Sequence, residues 1–206
     1  MKKFQNFKIK ELKKISNQQF SEIIKLITNE NPESILACLN KETIKDYLNK
    51  VAISKDVLIY VIQNKDKIIA YAIIAKNIEK LTSIFLDKKI TILFSLIINF
   101  KFLKLINVIL SYVKLDIIFL KKKYKNIIYL NYNLNLLAVG KKFQSKGLGS
   151  YFLRKIFKNF EKSKYITVET IDEKATKFYQ KKHNFKIIGK KLRFPKNLKV
   201  LYKKIT

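Results

Sequence analysis

Residues 137–150 carry the strongest chemical signal in the chain: Leu137-Ala138-Val139-Gly140-Lys141-Lys142-Phe143-Gln144-Ser145-Lys146-Gly147-Leu148-Gly149-Ser150. A buried-type apolar run leads into a turn with two glycines spaced by one residue, and a helical pattern comes after it. The amides of such a turn and of the first helical turn have no intrahelical acceptor. Together with the helix dipole they form a site for an anion such as a pyrophosphate. Gly147 and Gly149 let the backbone approach that ligand closely. The chain holds only four glycines, so two of them at this junction are informative. Lys146 adds a cation at the rim. The spacing lacks the third glycine of a dinucleotide fold and the Gly-Lys-Ser/Thr of a nucleoside triphosphate loop, which sets both of those turns aside. The competing reading is an ordinary strand-to-helix junction with glycines for packing.

The elements around the turn must position it. Residues 127–139 read as the strand that delivers it, and 147–163 as the helix behind it, with Leu148, Phe152, Ile156 and Phe160 on one face. Residues 165–170 return as a strand. Asp172 caps a helix through Lys182, and 185–193 and 198–205 are two closing strands around Pro195 and Asn197. Upstream, 7–12 alternates as a first strand, and Ser16 or Asn17 caps a helix with Phe20, Ile23, Ile24 and Ile27 at helical spacing. Asn31-Pro32 opens a second helical region with Ile35, Leu36 and Leu39, continued by a separate helix over 42–51. The β-branched runs 57–63 and 67–76 flank a polar tetrad and predict an antiparallel hairpin.

Residues 77–126 stand outside this order. The run 90–100 is almost wholly apolar, but it is about half of the roughly 20 residues a spanning helix needs. Lys101, Lys104, Lys114 and Asp116 interrupt its continuation. Two packed helices are expected there, with an apolar face that could serve a core, a homodimer interface or an in-plane membrane contact through 90–120.

Length and composition bound the rest. The 206 residues fit one domain, 1–206, able to bury a core without disulfides or metals. Hydrophobic residues reach 48%, so the chain has the means to collapse. Cys38 is the one cysteine and His183 the one histidine, which leaves no internal disulfide and no zinc site of the usual ligand set. Cys38 is expected in the core and His183 at a helix end. A net charge of +29 attracts phosphate-bearing ligands, nucleic acid or anionic lipid, yet Lys, Ile and Asn are over-used throughout, as a coding bias would also produce. The lysines are spread over the chain with no recognition-helix pattern, so nucleic acid is not an expected partner. The N-terminus shows no export signal, and the cytoplasm is the expected compartment.

Two stretches resemble one family. Gln144-x-x-Gly147-x-Gly149 after Leu137-x-Val139 resembles the coenzyme A signature of the GNAT superfamily of acyl-CoA N-acyltransferases. Asp172-x-x-Ala175-x-x-Phe178-Tyr179 with Asn184-Phe185 resembles that family's Asn-x-x-Ala-x-x-Phe-Tyr…Gly-Phe segment. Asp172 stands where Asn is usual, Asn184 replaces Gly, and the stretch between Tyr179 and Phe185 is one residue longer than common. Asn184 is a mild change, since Asn tolerates the left-handed conformation at a helix end.

The resemblance implies an α/β (α+β) fold with a mixed, mostly antiparallel central sheet flanked by helices, and a helical insertion between the third and fourth strands. It implies an acetyl-CoA-dependent N-acetyltransferase without a metal, acting on a primary amine of a small molecule such as an amino sugar or nucleotide-linked amino sugar. Acetyl-CoA would lie between the fourth and fifth strands. The backbone of Leu137, Ala138 and Val139 would bind pantetheine, and Gln144, Ser145, Lys146, Gly147, Leu148, Gly149, Ser150 and Asp172 would complete the cofactor site. An acid at 172 repels a polyanion unless it caps its helix. Tyr179 would protonate the departing thiolate. The fourth strand offers no carboxylate, which leaves Glu169 on the fifth as the nearest base; a solvent-facing strand residue is its alternative. The insertion is expected to roof the acceptor side, its apolar residues covered by the chain's own core or a second subunit. The alternative class is a basic membrane-surface or nucleic-acid binding protein on a degenerate acetyltransferase scaffold.

Overall fold

The computed structural model describes residues 4, 7–98, 100–117, 120–121, 124, 127–128 and 131–206. Along the chain run β1 (Lys8–Glu11), α1 (Asn17–Glu30), α2 (Lys41–Ile53), β2 (Val57–Asn64), β3 (Lys67–Ala75), α3 (Ile78–Leu86), α4 (Lys89–Ile98), α5 (Phe102–Tyr112), β4 (Tyr132–Val139), α6 (Leu148–Phe157), β5 (Tyr165–Thr170), α7 (Glu173–His183), β6 (Lys186–Lys191) and β7 (Leu198–Lys204). Short polar side chains set the helix starts. Ser16 and Gln19 exchange the two bonds of a capping box, while Asn40, Asn77 and Asp172 cap α2, α3 and α7.

The strands form one sheet in the order β1-β2-β3-β4-β5-β7-β6, antiparallel everywhere except between β4 and β5. Both faces are covered, which is why β2 and β3 read as nearly continuous apolar runs. Ile59, Val61 and Ile73 pack beneath α1, α2 and the start of the insertion. Tyr60, Ile74 and Leu134 pack against Phe152, Leu153 and Ile156 of α6 and Tyr179 of α7. The edge strands carry Lys8 and Lys10 on β1 and Lys186 and Lys190 on β6, charges that discourage further strand pairing.

The architecture and element order match the expected class, with local differences. β4 starts at Tyr132, five residues later than the pattern predicts, because Asn131 closes a turn before it. The Asn131 amide donates to Ile127 O (3.2 Å) and its carbonyl accepts from Tyr165 N (3.0 Å). The residues 129–130 assigned to that strand lie outside the described residues. α6 ends at Phe157 rather than near 163, since Asn159 N and Phe160 N bond three residues back and tighten the last turn. Phe160 still lies in the core, stacked on Tyr132 at 4.3 Å. The helical region after Asn31 is a single 3-10 turn, Leu36–Cys38, begun by the bond from Ser34 N to Asn31 O (2.9 Å). Cys38 is half-buried there.

Among the described residues the insertion holds three α-helices instead of two, because Asn77 starts a helix ahead of the apolar run. Asn99 within that run and the end expected at Asn126 lie outside the described residues. α4 buries Ile92 and Leu96, and α5 buries Asn107 and Val108. The outer faces of both helices stay open, so the apolar residues are covered by the chain's own core only in part.

The insertion also holds the β6–β7 loop. Asn107, buried, donates to Phe194 O and accepts from Phe194 N, both at 2.8 Å, while Leu192 N donates to Asp116 O (2.7 Å). Replacing Asn107 by Ala leaves both groups of the Phe194 backbone without this partner. Asn107→Ala is expected to lower stability by about 1–3 kcal/mol, read as a shifted urea midpoint at unchanged slope.

Candidate functional site

The site begins where two strands part. Tyr132, Asn133 and Leu134 of β4 pair with Ile166, Thr167 and Val168 of β5, and there the pairing stops. β4 continues along β3 to Val139, and β5 along β7 to Thr170. The register of β4 supplies the bend: Ile74 faces Leu134 and Ile73 faces Leu136, so Asn135 is the extra residue of a bulge. A buried bond from Asn133 Nδ2 to Thr167 Oγ1 (3.0 Å) fastens the closed end. Past Leu134, the N–H and C=O groups of β4 that face β5 have no strand partner, so a free strand edge lies inside the sheet.

The turn predicted to cradle an anion lies at the open end. Gly140 N donates to Ile69 O (2.9 Å) and a 3-10 turn, Lys141–Phe143, comes next. Gln144 Nε2 donates to Val139 O (2.8 Å) and to Glu30 Oε2 (2.7 Å), and Glu30 Oε1 accepts from Lys141 N (3.0 Å). Gln144 therefore braces the turn, and Glu30 anchors it to the end of α1. Ser145 (φ 58) and Gly147 (φ 87) adopt left-handed backbone. The first intrahelical bond runs from Tyr151 N to Gly147 O (3.0 Å), and Gly147 lacks a side-chain cap. The amides of Leu148, Gly149 and Ser150 thus have no intrahelical acceptor. A Cβ on Gly149 would sit 3.5 Å from Phe178 Cζ and 3.6 Å from Val139 Cγ2, so a larger side chain would wedge between α6, α7 and β4.

Beside the amides lies a cavity of about 300 Å³ lined by Phe4, Gly147, Ser150, Tyr151, Arg154 and Lys182. Lys146 is exposed at the rim, whereas the Leu148 side chain is buried in the core, so only its amide is available. Leu137 and Val139 are half-buried and Ala138 buried on the freed strand. Asp172 turns its carboxylate onto its own helix, accepting from Lys174 N (2.8 Å). That capping answers the concern about an acid at this position.

Tyr179 is buried, with Phe178 and Phe185 rings 5.2 and 5.4 Å away. Burial pushes its phenol above the usual tyrosine range. Glu169 directly follows the last residue of β5 that pairs with β4 and forms an ion pair with Lys191 (2.7 Å), which also approaches Asp116 (3.7 Å). It is therefore an engaged, partly buried carboxylate rather than a solvent-facing one. Arg193, between the two anchored residues Leu192 and Phe194, has its pKa lowered by burial against the opposing charges of Glu169, Asp116 and Glu33. Its guanidinium makes no hydrogen bond or ion pair among the described residues.

Sequence reasoning missed Glu30, Asn107, Asp116, Lys191 and Arg193. Two left a trace. Glu30 is an acid in the last turn of a helix, where the dipole disfavours it, and Arg193 is one of only two arginines among 44 basic residues.

No family model and no curated protein matches the sequence. Solved structures do. A Corynebacterium glutamicum protein described as histone acetyltransferase HPA2 and related acetyltransferase aligns with a TM-score of 0.57 at 13% identity over 98% of both chains. An acetyltransferase of the GNAT family from Streptococcus pneumoniae aligns at 0.53 and 16% identity, over 97% of this chain and 99% of its own. The ribosomal-protein-S18-alanine N-acetyltransferase of Escherichia coli aligns at 0.54 and 10% identity, over 97% and 94%. At these identities the likeness is one of fold.

His183 Nε2 lies 3.1 Å from Ser150 Oγ, and the ring is buried. Desolvation first, then the charges of Lys203 and Arg154, lower its pKa from 6.5 to about 4. Between those values the unfolded chain binds more protons than the folded one, so stability falls as pH falls through this window. Acidification from pH 6.5 toward 4 is expected to remove stability on the order of 2 kcal/mol through this group. His183→Gln, which does not titrate, should flatten that part of the urea-midpoint profile.

Proposed function

We propose, from the GNAT acetyltransferase fold that this chain has, that it binds acetyl-coenzyme A and moves the acetyl group to a primary amine of a small molecule. One observation carries the reading: the β4–β5 gap opens onto an uncapped helix start with no acidic residue in its first turn. A free strand edge suits an extended amide-bearing chain such as pantetheine, and an uncapped helix start suits a pyrophosphate. The residues present therefore fit the co-substrate, which supplies an acetyl group activated as a thioester.

The amides of Leu148, Gly149 and Ser150 hold the pyrophosphate, with Lys146, Arg154 and Lys182 as nearby cations. The free edge of β4 over 135–139 bonds the pantetheine arm as a neighbouring strand would. An N–H group near Val139 polarises the thioester carbonyl. Tyr179, protonated at neutral pH as any tyrosine is, donates to the departing sulfur. The attacking amine must lose a proton, and Glu169 is the carboxylate that stands where the strands part. For Glu169 to accept it, the ion pair with Lys191 has to open. Arg193 in the same cleft favours an acceptor that carries a negative group, such as a nucleotide-linked amino sugar.

Calorimetry with acetyl-coenzyme A tests the binding half. Valine at both Gly147 and Gly149 is expected to abolish binding, through strain at φ 87 and the wedge against Phe178 and Val139. Unchanged affinity in the folded double variant defeats the phosphate-turn reading. Tyr179→Phe is expected to lower turnover by roughly ten- to a thousandfold with little change in cofactor affinity; an unaltered rate removes Tyr179 from the mechanism.

A further inference from the structure

We propose that the α4–α5 hairpin lies flat on an anionic lipid bilayer, with its apolar outer face in the boundary between headgroups and acyl chains. A helix that faces water ordinarily turns polar residues outward. These two do the reverse. Ile90, Phe94 and Ile98 recur at helical spacing on the open face of α4, as Phe102, Ile106 and Ile109 do on α5. Between the helices Phe100 is 80% exposed and meets the Phe102 ring edge-on at 6.2 Å. Twelve of the fifteen exposed large hydrophobic residues among those described fall within 90–115, so this is one patch and not scattered exposure.

Charge selects the occupant. From Lys88 to Leu115 there are five lysines and no acid. The side-chain amines of Lys89 and Lys101 are exposed and make no hydrogen bond or ion pair among the described residues. A second copy would bring the same lysines, on a chain of net charge +29, face to face with these. A nucleic acid would satisfy the lysines and leave the aromatic and aliphatic residues in water. An anionic bilayer satisfies both at once, each lysine near its surface strengthening binding about fivefold. Among the described residues no helix is long and apolar enough to cross a membrane, so the hairpin lies on the bilayer.

The test is flotation of the full chain, at physiological salt, with vesicles of phosphatidylcholine plus phosphatidylserine and with vesicles of phosphatidylcholine alone. The expected result is flotation with the first and little with the second. A variant with Phe94, Phe100 and Ile106 each changed to Ser should lose about tenfold or more of that binding while keeping its circular dichroism and thermal midpoint. Lys89→Glu with Lys101→Glu, which spares every apolar contact, should lose a comparable share. Failure of the parent to float, or equal flotation with both vesicles, overturns the proposal. So does a stable dimer in solution that the triple variant breaks, since the face would then belong to a second copy. None of these readings depends on acetyl-coenzyme A.

Discussion

A strand can pair on two sides, and β4 uses one of them for only three residues. That constraint organises the rest of the molecule. The bulge at Asn135 bends β4 while β3 holds it, and β7 holds β5, so the two strands separate without either becoming a loose end. Each remains pinned on its far side by an antiparallel neighbour. The backbone groups left over at the gap are rigid and aimed, whereas the same groups on a loop would have to be ordered by the ligand.

The phosphate-side turn depends on the same gap and is kept stiff by different means. Glu30, from the first helix, takes bonds from both the Lys141 amide and the Gln144 side chain, and Gln144 returns to the last carbonyl of β4. A carboxylate close to an anion site would oppose binding if it were free. Here its oxygens accept from groups that shape the turn, and the helix start itself carries no acid in its first turn. The high positive charge of the chain is a background to this arrangement. Backbone amides and left-handed residues at Ser145 and Gly147 give the site its geometry.

Much of this was legible in the residues. Continuous β-branched and aromatic runs and the helical spacing of apolar residues gave the order of elements, since sheet strands covered on both faces and one-sided helices leave those two signatures, and Ser16 and Asp172 announced their helices as caps. The turn at 144–149 was visible because glycine is rare in this chain. Features that join distant segments stayed hidden. The register slip of β4 against β3, the Glu169–Lys191–Asp116 group and the grip of Asn107 on Phe194 each depend on which residues meet across long stretches of chain. A lysine among 44 basic residues has no mark that sets it apart. Asn131 misled for a local reason, since an Asn inside an apolar run reads as a strand position and served instead to close a turn. The apolar run at 90–100 showed its composition but not which face it would turn outward.

The bonds from Asn107 to the backbone N–H and C=O of Phe194, with that from Leu192 to Asp116, fasten the insertion to the loop that carries Arg193. Neither piece can open by itself. Opening the loop to solvent breaks bonds whose other ends are in α5 and the short turn after it, and unravelling α5 breaks the same bonds from the opposite side. The two segments, some 80 positions apart in the chain, therefore form one cooperative unit of local opening. Their amides would exchange with solvent together, at a free energy set by the weaker partner's packing and not by the sheet on which both rest.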